Sequence, residues 1–366
     1  MKPCTVRSND LHIEHIITKL QQGYRLSYEE YVQLIQNRDC IDRKTLYAQA
    51  QKQAQQNYGK NIYLRGLIEI SNFCKNDCYY CGIRCSNIKA VRYRLTTEDI
   101  LTCCQKGYAL GMRTFVLQGG EDSYFTDEHI CNLILTIRQR WPGAAITLSL
   151  GEKSLSSYQR YYEAGAVRYL LRHETADALH YQKLHPPAMS LKNRRRCLTD
   201  LQDIGYQVGA GFMVGSPAQT VECLAKDLLF LQEFKPHMAG IGPFIPHDDT
   251  PFASARAGTA EDTLFFLALV RLILPQALLP ATTALGTVAE DGWQRGVLAG
   301  ANVIMLNLTP SKEKEHYSLY NGKNPTSAAE AHLITEQMDA IGYRTVVDRG
   351  DHCAIAQKFT EGKGHS

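Results

Sequence analysis

Eight short apolar or β-branched runs alternate with helical stretches after Gly59, no antiparallel hairpin signal interrupts them, and about sixty residues of helical periodicity come first. These observations predict an α/β chain: a complete (β/α)8 TIM-type barrel with N-terminal helices and a short C-terminal extension. Parallel strands need helical crossovers, and eight is the count that closes a barrel. The expected boundaries are 1–60 for the helical segment, 61–310 for the barrel and 311–366 for the extension.

Tyr28–Ile35 and Lys44–Tyr58 space their apolar groups at three and four, as helices do. Strands are expected at Arg65–Ile70, Thr114–Leu117, Ala145–Ser149, Arg168–Leu171, Gln207–Val214, Met238–Gly242, Ala281–Ala284 and Asn302–Met305. Helices fall between them at Thr97–Ala109, Asp127–Gln139, Ser154–Glu163, Asn193–Asp203, Thr220–Glu233 and Thr259–Arg271. Glu98 and Asp99 suit the positive end of a helix dipole, and Gly143, Gly165 and Gly205 stand where helices should stop. Pro275 and Pro280 crowd the seventh strand. Beyond Thr309 the chain is polar and mixed, and helical spacing returns over Ser327–Ile341.

Composition excludes several classes. Forty basic against 37 acidic residues leave +3, too balanced for nucleic acid or an anionic membrane surface. The most apolar stretch, Leu264–Leu279, is broken by Arg271 and Pro275, so no membrane span is expected. Met1–Leu20 carries Asp10 and Glu14 where a signal peptide needs an apolar run, so a cytoplasmic location is expected. Twelve cysteines in 366 residues are too sparse for a disulfide scaffold, and most sit singly among apolar residues as small core side chains.

Four cysteines nonetheless fall between residues 74 and 85. Cys74, Cys78 and Cys81, at spacings of four and three just after the first strand, can converge from one loop at the end of a barrel where chemistry is kept. With Cys85 they could make a zinc site. As three ligands they suit a 4Fe–4S cluster with one iron free for an outside ligand. The Cys-x3-Cys-x2-Cys pattern is similar to that of the radical S-adenosylmethionine (SAM) superfamily, whose free iron takes the amino and carboxylate groups of SAM. Tyr80 resembles the aromatic that packs on the adenine there.

The resemblance extends further. Ser71–Arg84, Leu117–Asp122, Thr147–Glu152, Arg168–Ala176, Gly209–Gly215, Gly240–His247, Pro280–Ala284 and Ala301–Met305 resemble, in order, segments of the HydE family of FeFe-hydrogenase maturases. The resemblance implies that SAM lies along the barrel mouth. Its contacts would come from the backbone of Gly119, Gly120 and Glu121, from Gln118, Ser149, Glu174 and Arg194, and from Met213 against the adenine. A deeper substrate pocket would hold Arg172, Thr282, Thr283, Met238 and Met305, with Arg168, Tyr317 and Tyr320 as weaker candidates. Strand alternation sets Arg172 and Glu174 on one face and His173 on the other. Lys323–Ala340 lacks the cysteines that hold an accessory cluster in some relatives, so one cluster is expected. Leu306 and Leu308 stand where relatives carry bulkier or stiffer residues and would reshape the inner cavity.

The implied activity is reductive cleavage of SAM to a 5′-deoxyadenosyl radical. That radical acts on a small anionic iron complex, a cysteine-bound Fe(CO)2(CN) precursor of the hydrogenase two-iron subcluster. Other hydrogenase maturases and an electron donor are the implied partners, and neither nucleic acid nor a membrane is among them. A related radical SAM enzyme on an organic substrate, methylornithine synthase-like or biotin synthase-like, would share the barrel and cysteine loop. An iron–sulfur carrier without catalysis would not need the glycine and Glu/Arg positions.

Overall fold

The computed structural model describes residues 8–323 and 327–356. Three helices, Ser8–Gln21, Tyr28–Gln36 and Arg43–Tyr58, lead into the barrel. The strands are β1 (Asn61–Ser71), β2 (Thr114–Gly119), β3 (Ala145–Ser149), β4 (Arg168–Leu170), β5 (Gln207–Ala210), β6 (Met213–Val214), β7 (Met238–Ala239), β8 (Gly242–Pro243), β9 (Pro280–Ala281), β10 (Val303–Asn307) and β11 (Arg344–Val346). Eight of them pair in parallel in the order β7-β5-β4-β3-β2-β1-β10-β9. The seam between β7 and β9 is held by one parallel bridge, Met238 to Leu278. Leu278 N donates to His237 O at 2.9 Å and Ala239 N to Leu278 O at 3.2 Å. The expected parallel barrel is present, and this seam is its thinnest wall.

The seam explains where the expected strands shorten. Ala281–Ala284 becomes Pro280–Ala281: proline lacks the ladder donor, and Thr282 is already an N-cap, its Oγ1 accepting from Leu285 N at 3.3 Å to start the helix Thr283–Val288. Gln207–Val214 splits into β5 and β6 at Gly211, where φ is +150° and a Cβ would lie 2.0 Å from Gly240 O. Met238–Gly242 splits likewise into β7 and β8.

Helix positions follow the sequence closely. Thr97–Ala109 is helical as expected, but its cap is Thr96, which forms a reciprocal pair with Asp99. Gly165 and Gly205 cap helices at φ +115° and +105°. Gly143 does not, because that helix already stops at Arg140. The apolar helix Ala260–Ile273 is buried on all sides between the barrel and the N-terminal helix Arg43–Tyr58. Arg271 within it is fully buried and spends its guanidinium on Gly300 O, Pro275 O, Ala277 O and Asn302 Oδ1 at 2.7–3.1 Å. Among the described residues no helix is long and apolar enough to cross a membrane. Helices Ala178–Leu184 and Gly292–Leu298 were not foreseen. Leu306 within β10 and Leu308 just after it are core residues on the outer face of the sheet, with Leu308 against Gly66 and Gly107, so they do not shape the lumen.

The C-terminal extension does more than cover a surface. β11 pairs with β1 through Asn61–Arg344, and the residues after it close the amino-terminal end of the barrel. Arg168, with no exposure, donates to Asp351 Oδ1 at 2.7 Å, to Arg349 O at 2.9 Å and to Thr114 Oγ1 at 3.0 Å. Gln207 Nε2 also donates to Asp351 Oδ1, at 2.8 Å. Burial opposes the Asp351 charge, yet Arg168, Gln207 and Arg349 together hold its pKa down to about 2.

Breaking this pair leaves a buried guanidinium uncompensated. Asp351→Ala should therefore cost about 3 kcal/mol of stability in urea denaturation. The depressed carboxyl pKa makes the contribution full above the unfolded value of about 4. It is lost as pH falls toward 2, and the variant should lack that part of the acid sensitivity.

Candidate active site

The site gathers at the carboxyl ends of the strands. Cys74, Cys78 and Cys81 follow β1 on one half-buried loop. The loop is clasped from beneath by Arg92, whose guanidinium donates to the carbonyls of Asn72, Ile83, Arg84 and Asn87 at 2.5–3.1 Å. Arg84 forks onto Asp77 with contacts of 2.6 and 2.5 Å. Burial raises the Cys78 thiol and pushes that of Cys81 up to about 12. Cys85 is exposed. Among the described residues no three His, Cys, Asp or Glu side chains are grouped closely enough for a single metal ion.

The loop after β2 closes directly on the cysteines. A Cβ on Gly120 would lie 2.2 Å from Phe73 O and 2.7 Å from Cys74 Cβ, so glycine alone permits the approach. At Gly119 it would lie 3.3 Å from Ser71 O. Glu121 N points at Cys74 Sγ at 3.4 Å. The Glu121 carboxylate is occupied as a brace: Oε1 accepts from Glu152 N at 2.8 Å and Oε2 lies 3.2 Å from Lys75 Nζ. What Glu121 offers the centre is therefore its backbone. Gln118 Nε2 reaches Tyr317 Oη at 3.4 Å, and Ser149 ends β3 half-buried.

β4 ends at Leu170, but the chain stays in register with its neighbour. Glu174 N donates to Gly211 O at 3.0 Å and Met213 N to Glu174 O at 3.2 Å. Glu174 has φ +66°, rare for a side chain of this kind and held by these two bonds. The alternation is as expected. His173 points outward, fully buried against Phe230, with Nε2 3.2 Å from Asp227 Oδ1. Gly211 N donates to its Nδ1, so the ring proton sits on Nε2 facing Asp227. Arg172 and Glu174 point inward together, Nη2 and Oε2 3.1 Å apart but without hydrogen-bond alignment. Arg172 Nε, Arg172 Nη2 and Glu174 Oε2 are buried without a hydrogen-bond partner. They line a cavity of ≈ 130 Å³ together with Tyr80, Cys81, Met213 and Tyr320.

The remaining expected residues divide. Tyr80 Oη donates to His185 Nε2 at 3.2 Å; the ring is fixed in that sense because His185 Nδ1 donates to Tyr181 O. Arg194 is committed, its Nε on Glu152 Oε1 at 2.6 Å and its Nη1 on Arg172 O at 2.8 Å. Met238 lies lower, its Sδ 3.3 Å from Arg65 Nη1, and Met305 sits half-buried opposite Arg65 in the β1–β10 register. Thr282 caps its helix. Thr283 borders a separate groove beside Trp293 and Glu330. Arg168 belongs to the barrel floor. Two partners escaped the sequence reading. Glu152 joins Arg194 to the second loop, and Glu69 holds Lys323 Nζ at 2.5 Å and Asn307 Nδ2 at 3.0 Å inside the lumen. Strand alternation from Arg65 would have marked Glu69 as an inward charge.

Comparison with known proteins agrees with this geometry. The family model of the Radical SAM superfamily matches residues 68–231. The FeFe-hydrogenase maturase subunit HydE of Thermotoga maritima is 46% identical over 265 residues, 72% of this chain and 75% of that one. The 3-methylornithine synthase of Methanosarcina acetivorans is 28% identical over 88% of this chain and 91% of its own. The crystal structure of methylornithine synthase (PylB) superposes with a TM-score of 0.77 at 23% identity, covering 90% of this chain and 97% of that one, and so shares the fold. The chain is a radical SAM enzyme and belongs to the HydE family of FeFe-hydrogenase maturases.

Proposed function

We propose that Cys74, Cys78 and Cys81 hold one 4Fe–4S cluster, that SAM lies along the mouth of the barrel, and that the enzyme acts on a cysteine-bound Fe(CO)2(CN) precursor during FeFe-hydrogenase maturation. When bound, the cluster supplies the electron that cleaves the sulfonium of SAM. The residues present suit both groups. Three thiols stand on one clasped loop, and the glycine backbone after β2 approaches Cys74 without a side chain between. Gly119, Gly120 and Glu121 would offer backbone groups to the methionine end of SAM, with Gln118 and Ser149 beside them. Glu174 would accept from the ribose hydroxyls or the ammonium, and Arg194 would steady Glu152 and the strand-4 backbone while facing the carboxylate. Tyr80, oriented by His185, and Met213 would flank the adenine.

The single observation that carries the substrate reading is the inward Arg172 with two buried, unpartnered nitrogens. Glu174 Oε2 at 3.1 Å balances the charge but leaves these N–H groups without hydrogen bonds, which is costly unless an acceptor on a guest or water satisfies them, and low dielectric strengthens the pull on an anion. Thr282, Met238 and Met305 would complete a pocket below it, while Thr283 borders the separate groove and would take part only through the turn it shares with Thr282. The enclosing lumen would keep water and stray hydrogen donors from a reactive carbon radical. Other hydrogenase maturases would supply the precursor and receive the product, and a cytoplasmic location would follow from that role.

Alanine at Cys74, Cys78 or Cys81 should abolish cluster assembly and formation of 5′-deoxyadenosine under dithionite, while Cys85→Ala leaves both nearly intact; iron content should be near four per chain. Loss with Cys85→Ala but not with Cys81→Ala would refute the assignment.

Arg172→Ala should keep SAM affinity within a few-fold. Its activation of apo-hydrogenase, assayed in vitro with the other maturases present, should fall at least ~10-fold, as expected for losing a charge-assisted contact of about 1.5–3 kcal/mol. Full activation without this protein would reject the function, and normal activation by the variant would reject the pocket.

A further inference from the structure

We propose that the outer face of the cysteine loop is the docking surface for a small acidic iron–sulfur electron carrier; this rests on the cluster assignment above. Residues 74–94 carry five cations, Lys75, Arg84, Lys89, Arg92 and Arg94, against one carboxylate, Asp77, in a chain whose net charge is only +3. Two of them turn inward, Arg84 at 10% exposure under Asp77 at 25% and Arg92 onto the loop carbonyls, and the other three face outward. In three ion pairs around the loop the acid lies beneath and the cation faces water. The side chain of Lys75 is 68% exposed over Glu121 at 7%, Lys89 75% over Asp249 at 24%, and Arg94 35% over Asp122 at 3%. The surface above the cysteines is therefore positive although its charges are nearly balanced in number. Such a field raises the encounter rate with an acidic partner and weakens with salt.

The same face carries apolar groups left exposed among the described residues. Ile88 is 96% exposed, Val91 60% and Tyr124 52%. They are held in place. Asn87, next to Ile88, donates to Gly82 O at 2.7 Å, Val91 O accepts from Asn72 Nδ2 at 2.8 Å, and Arg94 stacks between Phe73 and Tyr124 at 3.8 and 4.9 Å. A fixed apolar centre rimmed by cations is the pattern of a transient charge-steered interface. Its backbone is continuous with Cys74 and Cys81, so a carrier seated there would be near the cluster. One electron would pass from the reduced iron–sulfur centre of the carrier to the oxidised cluster. The carrier would be left oxidised by one electron, and that electron would be available to cleave the bond from sulfonium to 5′ carbon, leaving methionine and the 5′-deoxyadenosyl radical.

The test uses holoenzyme with SAM under anaerobic conditions, driven either by dithionite or by a pre-reduced acidic 4Fe–4S ferredoxin, with 5′-deoxyadenosine as readout. The double variant Ile88→Ser/Val91→Ser and the single variant Lys89→Gln should lower the ferredoxin-driven rate, the double variant about tenfold or more. Both should leave the dithionite-driven rate within twofold. The wild-type ferredoxin rate should also fall as NaCl rises. Ferredoxin-driven rates unchanged in both variants, or equal losses with both reductants, would overturn the docking surface. Absence of 5′-deoxyadenosine from the wild type under dithionite would overturn the cluster assignment and this proposal together.

Discussion

The interior of an eight-stranded barrel must be filled, and here much of the filling is charged. Arg65, Arg168 and Glu69 are almost wholly buried on inward faces of β1 and β4. An unpaired charge in such a place costs several kcal/mol, so compensation dictates how the rest of the chain is laid down. On the floor the C-terminal extension supplies partners to both arginines: Asp351 pairs with Arg168, and the Gly350 carbonyl accepts from Arg65 at 3.4 Å. Higher in the lumen, Lys323 spans Glu69 and the Tyr317 carbonyl. Among the described residues, the inward charged atoms left without hydrogen bonds near the mouth are those of Arg172 and Glu174. The site is thus defined as much by what is satisfied around it as by the residues in it.

The C-terminal third of the chain supplies this compensation at both ends of the barrel. Residues around 316–321 cross the mouth: Gly82 N donates to Leu319 O, Asn72 Nδ2 to His316 O and Asn321 N to Pro246 O, all at 2.8–2.9 Å. Residues 344–352 cross the floor. Both crossings are polar, which suits a segment whose composition carries no core periodicity.

Local strain sits where strands end. Glu174 holds a left-handed backbone, and Gly211 and Gly120 allow contacts that a Cβ would block. Behind them His173 and Asp227 are buried as a pair, and Asp227 also accepts from Ala176 N at 2.5 Å. These contacts fix the backbone from which Arg172 and Glu174 enter the cavity, where Nη2 and Oε2 lie 3.1 Å apart as an ion pair without hydrogen-bond alignment.

The sequence alone determined what depends on local periodicity and spacing. Thr97–Ala109 could be read from its apolar interval, Gly165 and Gly205 from the need for a left-handed cap, and the cysteine loop from spacing that permits three thiols on one turn of chain. The inward pairing of Arg172 with Glu174 followed from strand alternation. Tertiary structure decided what depends on residues far apart in the chain. Nothing near Arg168 announces that its counter-ion lies 183 residues later at Asp351, or that Arg194 is tied to Glu152 and to the Arg172 carbonyl rather than standing free. The breaks at Gly211 and Thr282 were equally hidden, because they arise from the approach of Gly240 and from a cap that only the next helix requires. Periodicity reports which face a residue takes, but charge compensation in a lumen is set by whichever distant group reaches it, and only the closed fold specifies that.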